Sequence, residues 1–330
     1  MRVRVIGAGI FGLTAAYELA RRGARVDLVE AKAGPGLGCS FLAGGMIAPW
    51  CERESAEPIV TQLGLEGLDF WTRQFPVAVQ TGSLVVAPAR DKPEVERFSR
   101  RTSAFEICDG PRIGALEPDL ARRFAYGLFF PHEAYVEPRA AMKALALAIA
   151  EFPDARVRYG LVESPDDDAG FDWTVDCRGF AARRDLPDLR GVKGEMLILR
   201  TRDVKLSRPV RMLHPRHPVY IVPHGPHHFM VGATMIENEE PGRVTARGMM
   251  ELLGAAYTLH PAFGEAEIVE TGADVRPSFP DNLPRLALRP RERRLFINGA
   301  YRHGFLLGPA LAKRAADIIL DDVRQTELLA

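Results

Sequence analysis

A glycine-rich turn between an apolar strand and a helix constrains this chain more than any other feature. Residues 2–6 are predicted to form a strand that leads into Gly7-Ala8-Gly9-Ile10-Phe11-Gly12, and an acidic residue, Glu30, ends the next apolar run. Gly7 permits a tight turn, Gly9 lets the backbone approach a pyrophosphate, and Gly12 allows the helix to pack closely. Together these features predict a βαβ unit that binds a dinucleotide, with the phosphates at the helix N-terminus and Glu30 on the ribose hydroxyls. The motif alone fits FAD and NAD equally.

The size and charge of the chain limit the kinds of protein that it can be. With 330 residues it can form two closely packed domains. Its 43 basic side chains balance 43 acidic ones, so no net field would attract nucleic acid or an anionic membrane. The first predicted strand begins at residue 2 and no apolar run reaches ~18 residues, which predicts a cytoplasmic protein without a signal peptide or membrane span. The four cysteines lack zinc-type spacing, so neither a metal site nor a disulfide is expected.

Changes in hydrophobic pattern along the chain predict its architecture. Helices and strands alternate near both ends and from Pro138 onward, whereas residues 192–231 contain strands without intervening helices. This pattern predicts an α/β fold, in which a Rossmann-like dinucleotide domain carries an inserted antiparallel-sheet domain. We assign residues 1–52, 135–188 and 272–330 to the FAD-binding domain, and residues 53–134 and 189–271 to the substrate domain.

Three distant segments carry candidates for ligand recognition. Tyr220 lies on an apolar strand, where a tyrosine is more often part of a core or interface than a ligand contact. Arg276 ends a strand-like run; most arginines are solvated, but a buried one must be paired, and a small carboxylate would pair it. Residues 299–309 form a glycine-bounded turn before a helix, whose N-terminus could stabilise negative charge on a flavin ring.

Several motifs taken together resemble a known family. They are the glycine turn with Glu30, then Ala43-Gly44-Gly45-Met46, Val192-Lys193-Gly194-Glu195-Met196, Tyr220-Ile221-Val222-Pro223, Val231-Gly232-Ala233-Thr234-Met235, Val275-Arg276-Pro277 and Tyr301-Arg302-His303-Gly304. In these residues the chain resembles, from end to end, the FAD-dependent D-amino-acid oxidase superfamily and most closely the glycine oxidases of thiamine biosynthesis. The resemblance implies non-covalent FAD, since no cysteine follows Cys177, where the related sarcosine oxidases attach theirs.

The resemblance also implies a role for each matching position. The expected cofactor-binding residues are Gly7, Gly9, Ile10, Phe11, Gly12, Glu30, Ala31, Cys39, Ser40, Gly44, Gly45, Met46, Val162, Gly179, Ala300, Tyr301, Arg302, His303, Gly304, Phe305 and Leu306. Those at 300–306 would surround the isoalloxazine. Tyr220 and Arg276 would hold the substrate carboxylate, with Arg302 nearby and Met235 shaping the pocket. No side chain is assigned as an acid or base, because the flavin would perform the redox step.

The activity implied is oxidative deamination of glycine or another small amino acid, with reduction of O2 to H2O2, feeding thiazole synthesis for thiamine. Expected partners are the amino acid, molecular oxygen and further copies of the chain. Three alternatives stay open: a D-amino-acid or sarcosine oxidase, a flavin dehydrogenase with an acceptor other than oxygen, and a flavin-binding protein without turnover. The sequence cannot rank these substrates, because one methylene in a pocket is worth only ~1–3 kcal/mol.

Overall fold

The computed structural model describes residues 1–164, 170–214 and 218–329. The strands are β1 (Arg2–Ile6), β2 (Arg25–Glu30), β3 (Met46–Ile47), β4 (Ser83–Val86), β5 (Glu106–Asp109), β6 (Tyr126–Phe130), β7 (Ala134–Tyr135), β8 (Ala155–Tyr159), β9 (Trp173–Asp176), β10 (Arg190–Arg200), β11 (Val210–Met212), β12 (Val219–Pro223), β13 (His228–Gly232), β14 (Glu267–Ser278), β15 (Arg285–Arg289) and β16 (Arg294–Asn298). The helices are α1 (Ile10–Arg21), α2 (Pro58–Asp69), α3 (Lys92–Ser99), α4 (Gly110–Leu116), α5 (Pro138–Ala150), α6 (Ala246–Leu259) and α7 (Gly304–Asp321). Of the described helices, none combines the length and hydrophobicity needed to cross a bilayer.

The first sheet is the nucleotide-binding one expected from the sequence. Within the described residues its strand order is β15-β16-β9-β1-β2-β8, and all neighbours are parallel except β15 and β16. Helices α1, α5 and α7 share one hydrophobic core with this sheet. Because parallel strands need crossover connections, their carboxyl ends meet at one edge, which is where open α/β sheets bind ligands.

The second sheet is the predicted mainly antiparallel one. Its order in the described chain is β14-β10-β13-β12-β11-β4-β6-β5, with β4 and β11 parallel and the other neighbours antiparallel. The predicted hairpin joins β12 to β13 through a turn in which His224 N–H donates to the carbonyl of His228 at 2.9 Å. Helix α6 packs on β10, β12 and β13, as its predicted position requires. The α/β fold with an antiparallel sheet is therefore confirmed.

The expected domain ranges need two corrections. The boundary at residue 272 falls inside β14, which pairs with β10 along its length and so belongs to the antiparallel sheet as far as Ser278. Helix α2, assigned to the substrate domain, packs instead in the core of the first sheet. Helix α2 can approach α7 closely because Gly67 has no side chain: a Cβ there would lie 1.9 Å from the carbonyl oxygen of Leu306. The other boundaries stay a proposal.

Candidate functional site

A cleft of about 550 Å³ lies between the two sheets. One wall is made by residues at or just after the carboxyl ends of four parallel strands: Gly7 after β1, Glu30 at the end of β2, Cys177 after β9 and Asn298 at the end of β16. The opposite wall is made by Gly194 of β10, Tyr220 of β12 and Arg276 of β14. The cleft therefore brings the predicted nucleotide motif and the predicted substrate residues into one continuous site.

The glycine turn has the geometry that the sequence predicts. Gly7 has a φ of +98°, and a Cβ there would lie 2.7 Å from the carbonyl oxygen of Cys177. Gly12 lies beneath the turn, where a Cβ would be 1.7 Å from the carbonyl oxygen of Gly7. Gly12, predicted to bind the cofactor, does not line the cleft. Its part is to let α1 pack closely against the turn, and its predicted contact with the cofactor stays a prediction.

The start of α1 and the end of β2 present polar groups to this part of the cleft. The N-cap of α1 is Gly9, which has no side chain to accept from the first N–H groups of the helix. The N–H of Ile10 donates to Ser40 Oγ at 3.1 Å. Glu30 accepts hydrogen bonds from the N–H groups of Ala8 at 2.7 Å and Lys32 at 2.9 Å. Each carboxylate oxygen of Glu30 keeps a further lone pair, which suits a ribose hydroxyl.

The substrate end of the cleft contains a cation that lacks an acidic partner. Arg276 Nη1 donates to the carbonyl of Thr234 at 3.0 Å. Its guanidinium lies against Gly194, where a Cβ would be 2.3 Å from Arg276 Cζ. In the part of the chain that the structure describes, no carboxylate lies within ion-pair distance of Arg276. A partly buried guanidinium in this state is a ready binding site for a carboxylate ligand.

Tyr220 stands beside this cation because two glycines leave it room. A Cβ at Gly44 would lie 2.6 Å from Tyr220 Cε2, and one at Gly232 would lie 3.0 Å from its hydroxyl oxygen. The ring therefore packs on bare backbone on two sides, which fixes its orientation. Tyr220 is partly buried: it lines the cleft and also packs against the buried cluster of Met196, Ile198 and Met230. The position therefore combines the two possibilities that the sequence left open, and contact with the substrate stays a prediction.

A buried carboxylate, Glu52, connects the cleft to two further arginines. Glu52 Oε2 lies 3.0 Å from Arg302 Nη2 and 3.0 Å from His303 Nε2, and its Oε1 lies 3.3 Å from Arg211 Nη1. Burial would raise the pKa of Glu52, but Arg302 and Arg211, with the hydrogen bond from His303, hold that pKa well below its usual range. Glu52 is therefore ionised at neutral pH. Arg211 also pairs with Glu54.

Met235 lies at the edge of the site. Its Sδ is 3.2 Å from the hydroxyl of Tyr301 and 3.8 Å from Arg302 Nη1. It borders a small cavity of about 20 Å³ next to the main cleft, which Tyr220 and Arg276 also border. The prediction that Met235 shapes the pocket thus applies to this smaller cavity, because Met235 does not line the main cleft.

The residues of the cleft fit a dinucleotide cofactor. Its nucleotide half offers a Cβ-free turn and an α1 N-terminus without a side-chain cap. At the other half the N-terminus of α7, which begins at Gly304, faces the same cleft. Two helix N-termini at one cleft suit a ligand with a pyrophosphate near the first and a ring that gains negative charge on reduction near the second.

The comparisons with known proteins agree with this geometry. The sequence profile of the DAO family, described as FAD dependent oxidoreductase, matches residues 2–318. The chain belongs to the DAO family of FAD-dependent oxidoreductases. The resemblance and the fold class stated from the sequence are thereby confirmed.

Three known proteins are similar to this chain in sequence or in structure. A Rhizobium etli protein named as a thiamine biosynthesis oxidoreductase, ThiO, is 54% identical over 328 residues, or 99% of each chain. The glycine oxidase of Geobacillus kaustophilus superposes with a TM-score of 0.84 at 25% identity, covering 99% of this chain and 96% of that one. Iminodiacetate oxidase from a Chelativorans species superposes with a TM-score of 0.83 at 25% identity, covering 99% and 97%.

The cleft of this DAO-family chain is lined by most of the predicted cofactor residues and by several residues that were not predicted. The predicted cofactor residues that line the cleft are Gly7, Gly9, Ile10, Phe11, Glu30, Ala31, Cys39, Ser40, Gly44, Gly45, Met46, Val162, Gly179, Ala300, Tyr301, Arg302, His303, Gly304, Phe305 and Leu306. Val162 is at the rim, 88% exposed. Lining residues outside the predicted set include Glu52, Arg178, Asp274 and Asn298. Glu52 stands only six positions after Met46, but no local motif distinguishes it from a surface acid.

Proposed function

We propose that this chain binds FAD without a covalent link and oxidises glycine or another small amino acid, with O2 as the electron acceptor. The observation that carries the proposal is Arg276, a partly buried cation without an acidic partner among the described residues, beside Tyr220 in the cleft. A small carboxylate would satisfy it by charge-assisted hydrogen bonds. The glycine oxidase and ThiO names of relatives support the substrate class and a role in thiazole formation for thiamine.

The chain's own residues would bind and orient the substrate. FAD supplies the acceptor for the pair of electrons that leaves the amino acid. Arg276 would pair with the substrate carboxylate, and the Tyr220 hydroxyl would donate to the same group. Holding the carboxylate in this way fixes the direction of the Cα–H bond and makes the transfer effectively unimolecular. The imino acid that forms is hydrolysed by water to the oxo acid and ammonia, while O2 takes up the electrons and protons as hydrogen peroxide.

Two cysteines in the cleft support non-covalent binding. Burial raises the pKa of the Cys39 thiol to about 11, and burial raises the pKa of the Cys177 thiol well above its usual value. Both side chains line the cleft. Because the thiolate is the nucleophile, neither thiol is activated to attack a flavin at neutral pH. The proposed homo-oligomer and cytoplasmic location stay predictions.

The test begins with the purified protein. We expect the protein to show the absorbance spectrum of a flavin. Acid precipitation should release that flavin into the supernatant. Glycine, sarcosine and D-alanine are then added separately without oxygen, and we expect at least one of them to bleach the flavin. Admission of air should restore the colour and yield one peroxide per amino acid oxidised. A colourless protein would contradict the cofactor, bleaching by no amino acid would contradict the substrate class, and slow reoxidation without peroxide would identify a dehydrogenase.

A further inference from the structure

Three arginines border the small cavity beside Tyr220. They are Arg211, Arg276 and Arg302. Guanidinium groups bind carboxylates in a bidentate manner, so three of them beside the main cleft offer positive charge for more than one carboxylate of a ligand in that cleft. The arginines differ, however, in what they already bind. Arg276 has no acidic partner among the described residues, whereas the other two pair with acids of the chain itself.

Glu52 is the acid that Arg211 and Arg302 share. Its carboxylate lies 3.0 Å from Arg302 Nη2 and 3.3 Å from Arg211 Nη1. The residue is only 8% exposed, and it lines the main cleft. A carboxylate that enters the cleft and pairs with Arg302 must therefore come close to the Glu52 carboxylate. Water screens this contact poorly, since both groups are buried.

The turn that carries Glu52 is itself fixed. The residues Cys51–Glu54 form a short 3-10 helical turn. Glu133 Oε1 accepts hydrogen bonds from the N–H of Trp50 at 3.0 Å and from the N–H of Cys51 at 2.8 Å. Glu52 pairs with Arg302, His303 and Arg211, so it cannot swing away from this fixed turn without leaving Arg302 without its acidic partner, whereas Arg211 would keep Glu54. Breaking a buried ion pair in this way is strongly unfavourable.

We infer that Glu52 is a specificity-determining residue: it occupies Arg302 and Arg211 in place of a second substrate carboxylate, and so restricts the site to amino acids with one carboxylate. The inference rests on the proposed function, in which Arg276 binds the first carboxylate. An amino acid with two carboxylates, such as iminodiacetate, would find Arg302 already paired and a like charge beside it. Discrimination of this kind comes from repulsion of the wrong ligand rather than from added attraction for the right one.

The test compares ligands with one and two carboxylates on the FAD-loaded protein. Titration calorimetry measures the dissociation constants of acetate and malonate for the wild type and for Glu52→Gln. Wild type should bind malonate more weakly than acetate. In Glu52→Gln, where Arg302 and Arg211 face an uncharged amide, malonate binding should tighten by about tenfold or more relative to acetate. An unchanged malonate-to-acetate ratio in a folded, FAD-loaded Glu52→Gln would overturn the inference.

Two further variants test whether the effect depends on a negative charge at position 52. Glu52→Asp keeps the negative charge and should keep the preference for acetate. Glu54→Gln removes an acid that pairs with Arg211 but does not line the cleft, and it should change the ratio much less than Glu52→Gln does. If Glu52→Gln does not retain FAD, the titrations of the wild type still test the inference. Wild-type protein that binds malonate as tightly as acetate, or more tightly, would contradict it.

Turnover distinguishes this inference from the proposed function. Sarcosine and iminodiacetate differ by the carboxylate on the second N-substituent, so their kcat/KM ratio reports on that group alone. The ratio should move toward iminodiacetate by about tenfold in Glu52→Gln. If no amino acid reduces the wild-type flavin, the proposed function fails, while the acetate and malonate titrations still test whether Glu52 excludes a second carboxylate.

Discussion

The guanidinium of Arg276 lies directly against the backbone of Gly194, so that a Cβ at position 194 would be 2.3 Å from Arg276 Cζ. The two residues are diagonal neighbours on the paired strands β10 and β14, where Gly194 pairs with Asp274 and Arg276 pairs with Val192, at the edge of the antiparallel sheet. A residue without a side chain on one strand thus determines where the cation of the neighbouring strand can lie. The position of the proposed carboxylate site follows from this contact.

Replacement of Gly194 by alanine should displace Arg276 without removing its charge. We expect Gly194→Ala to raise KM for the amino acid and to lower kcat/KM by about tenfold or more, because small displacements of a positioning group are costly. Steady-state kinetics and acetate titration provide the measurement. Gly254→Ala, at an exposed site on α6 where a Cβ would meet nothing within 4 Å, is the control. Equal kinetics for the two variants would refute the role of this contact.

Gly12 should be required for the nucleotide-binding turn although it does not line the cleft. A Cβ at Gly12 would lie 1.7 Å from the carbonyl oxygen of Gly7. Backbone cannot move aside as a flexible side chain can, so Gly12→Ala should lower the melting temperature and weaken FAD retention together. We expect a destabilisation above the roughly 1 kcal/mol that is typical of point substitutions. Thermal unfolding and flavin content after gel filtration check this, and full FAD occupancy at wild-type stability would contradict it.

Glu133 should make stability depend on pH. Burial raises the pKa of Glu133 to about 8 from an ordinary 4.5. Between these values the unfolded chain has lost the proton that the folded chain keeps, so this contribution to stability is complete below pH 4.5 and is lost as the pH rises toward 8. The loss is at most about 1.4 kcal/mol per pH unit within that window.

The measurement is urea unfolding of wild type and Glu133→Gln at several pH values. The glutamine keeps an oxygen that can accept from Trp50 and Cys51 but carries no charge. Relative to wild type, Glu133→Gln should therefore become more stable as the pH rises from 5 to 8, by about a few kcal/mol at most. Glu240→Gln, which removes an exposed acid, should follow the wild-type curve. Parallel curves for wild type and Glu133→Gln would show that burial does not hold this proton.

Local motifs made much of the nucleotide half predictable. Gly7, Gly9 and Glu30 lie within one βαβ unit, where a few residues of fixed spacing determine the turn, the helix start and the acid position. The period-two strands and the hairpin after residue 192 were equally local signals. For these elements the sequence pattern and the fold agree, because each depends on contacts between residues that are near one another in the chain.

The missed features depend on contacts between distant residues. Glu52 pairs with Arg211 and Arg302, which follow it by 159 and 250 positions, and nothing near residue 52 marks it as buried. Helix α2 was assigned to the wrong layer because its amphipathic pattern shows that one face is buried but not which core buries it. Strand β14 is a similar case, because the residues of β14 alone do not show that it pairs with β10.

Loss of the Arg276 guanidinium tests the central claim most directly. The measurement is the rate of anaerobic flavin reduction as a function of glycine concentration, or of whichever amino acid bleaches the wild type, for Arg276→Ala and for Arg183→Ala. Arg183 is an exposed arginine whose partner is Glu239, at 3.3 Å, and it does not line the cleft. The account predicts that Arg183→Ala behaves like the wild type, whereas Arg276→Ala loses about 100-fold or more in kcat/KM, because the substrate carboxylate is left unpaired. Near-normal reduction of the flavin by Arg276→Ala would contradict it.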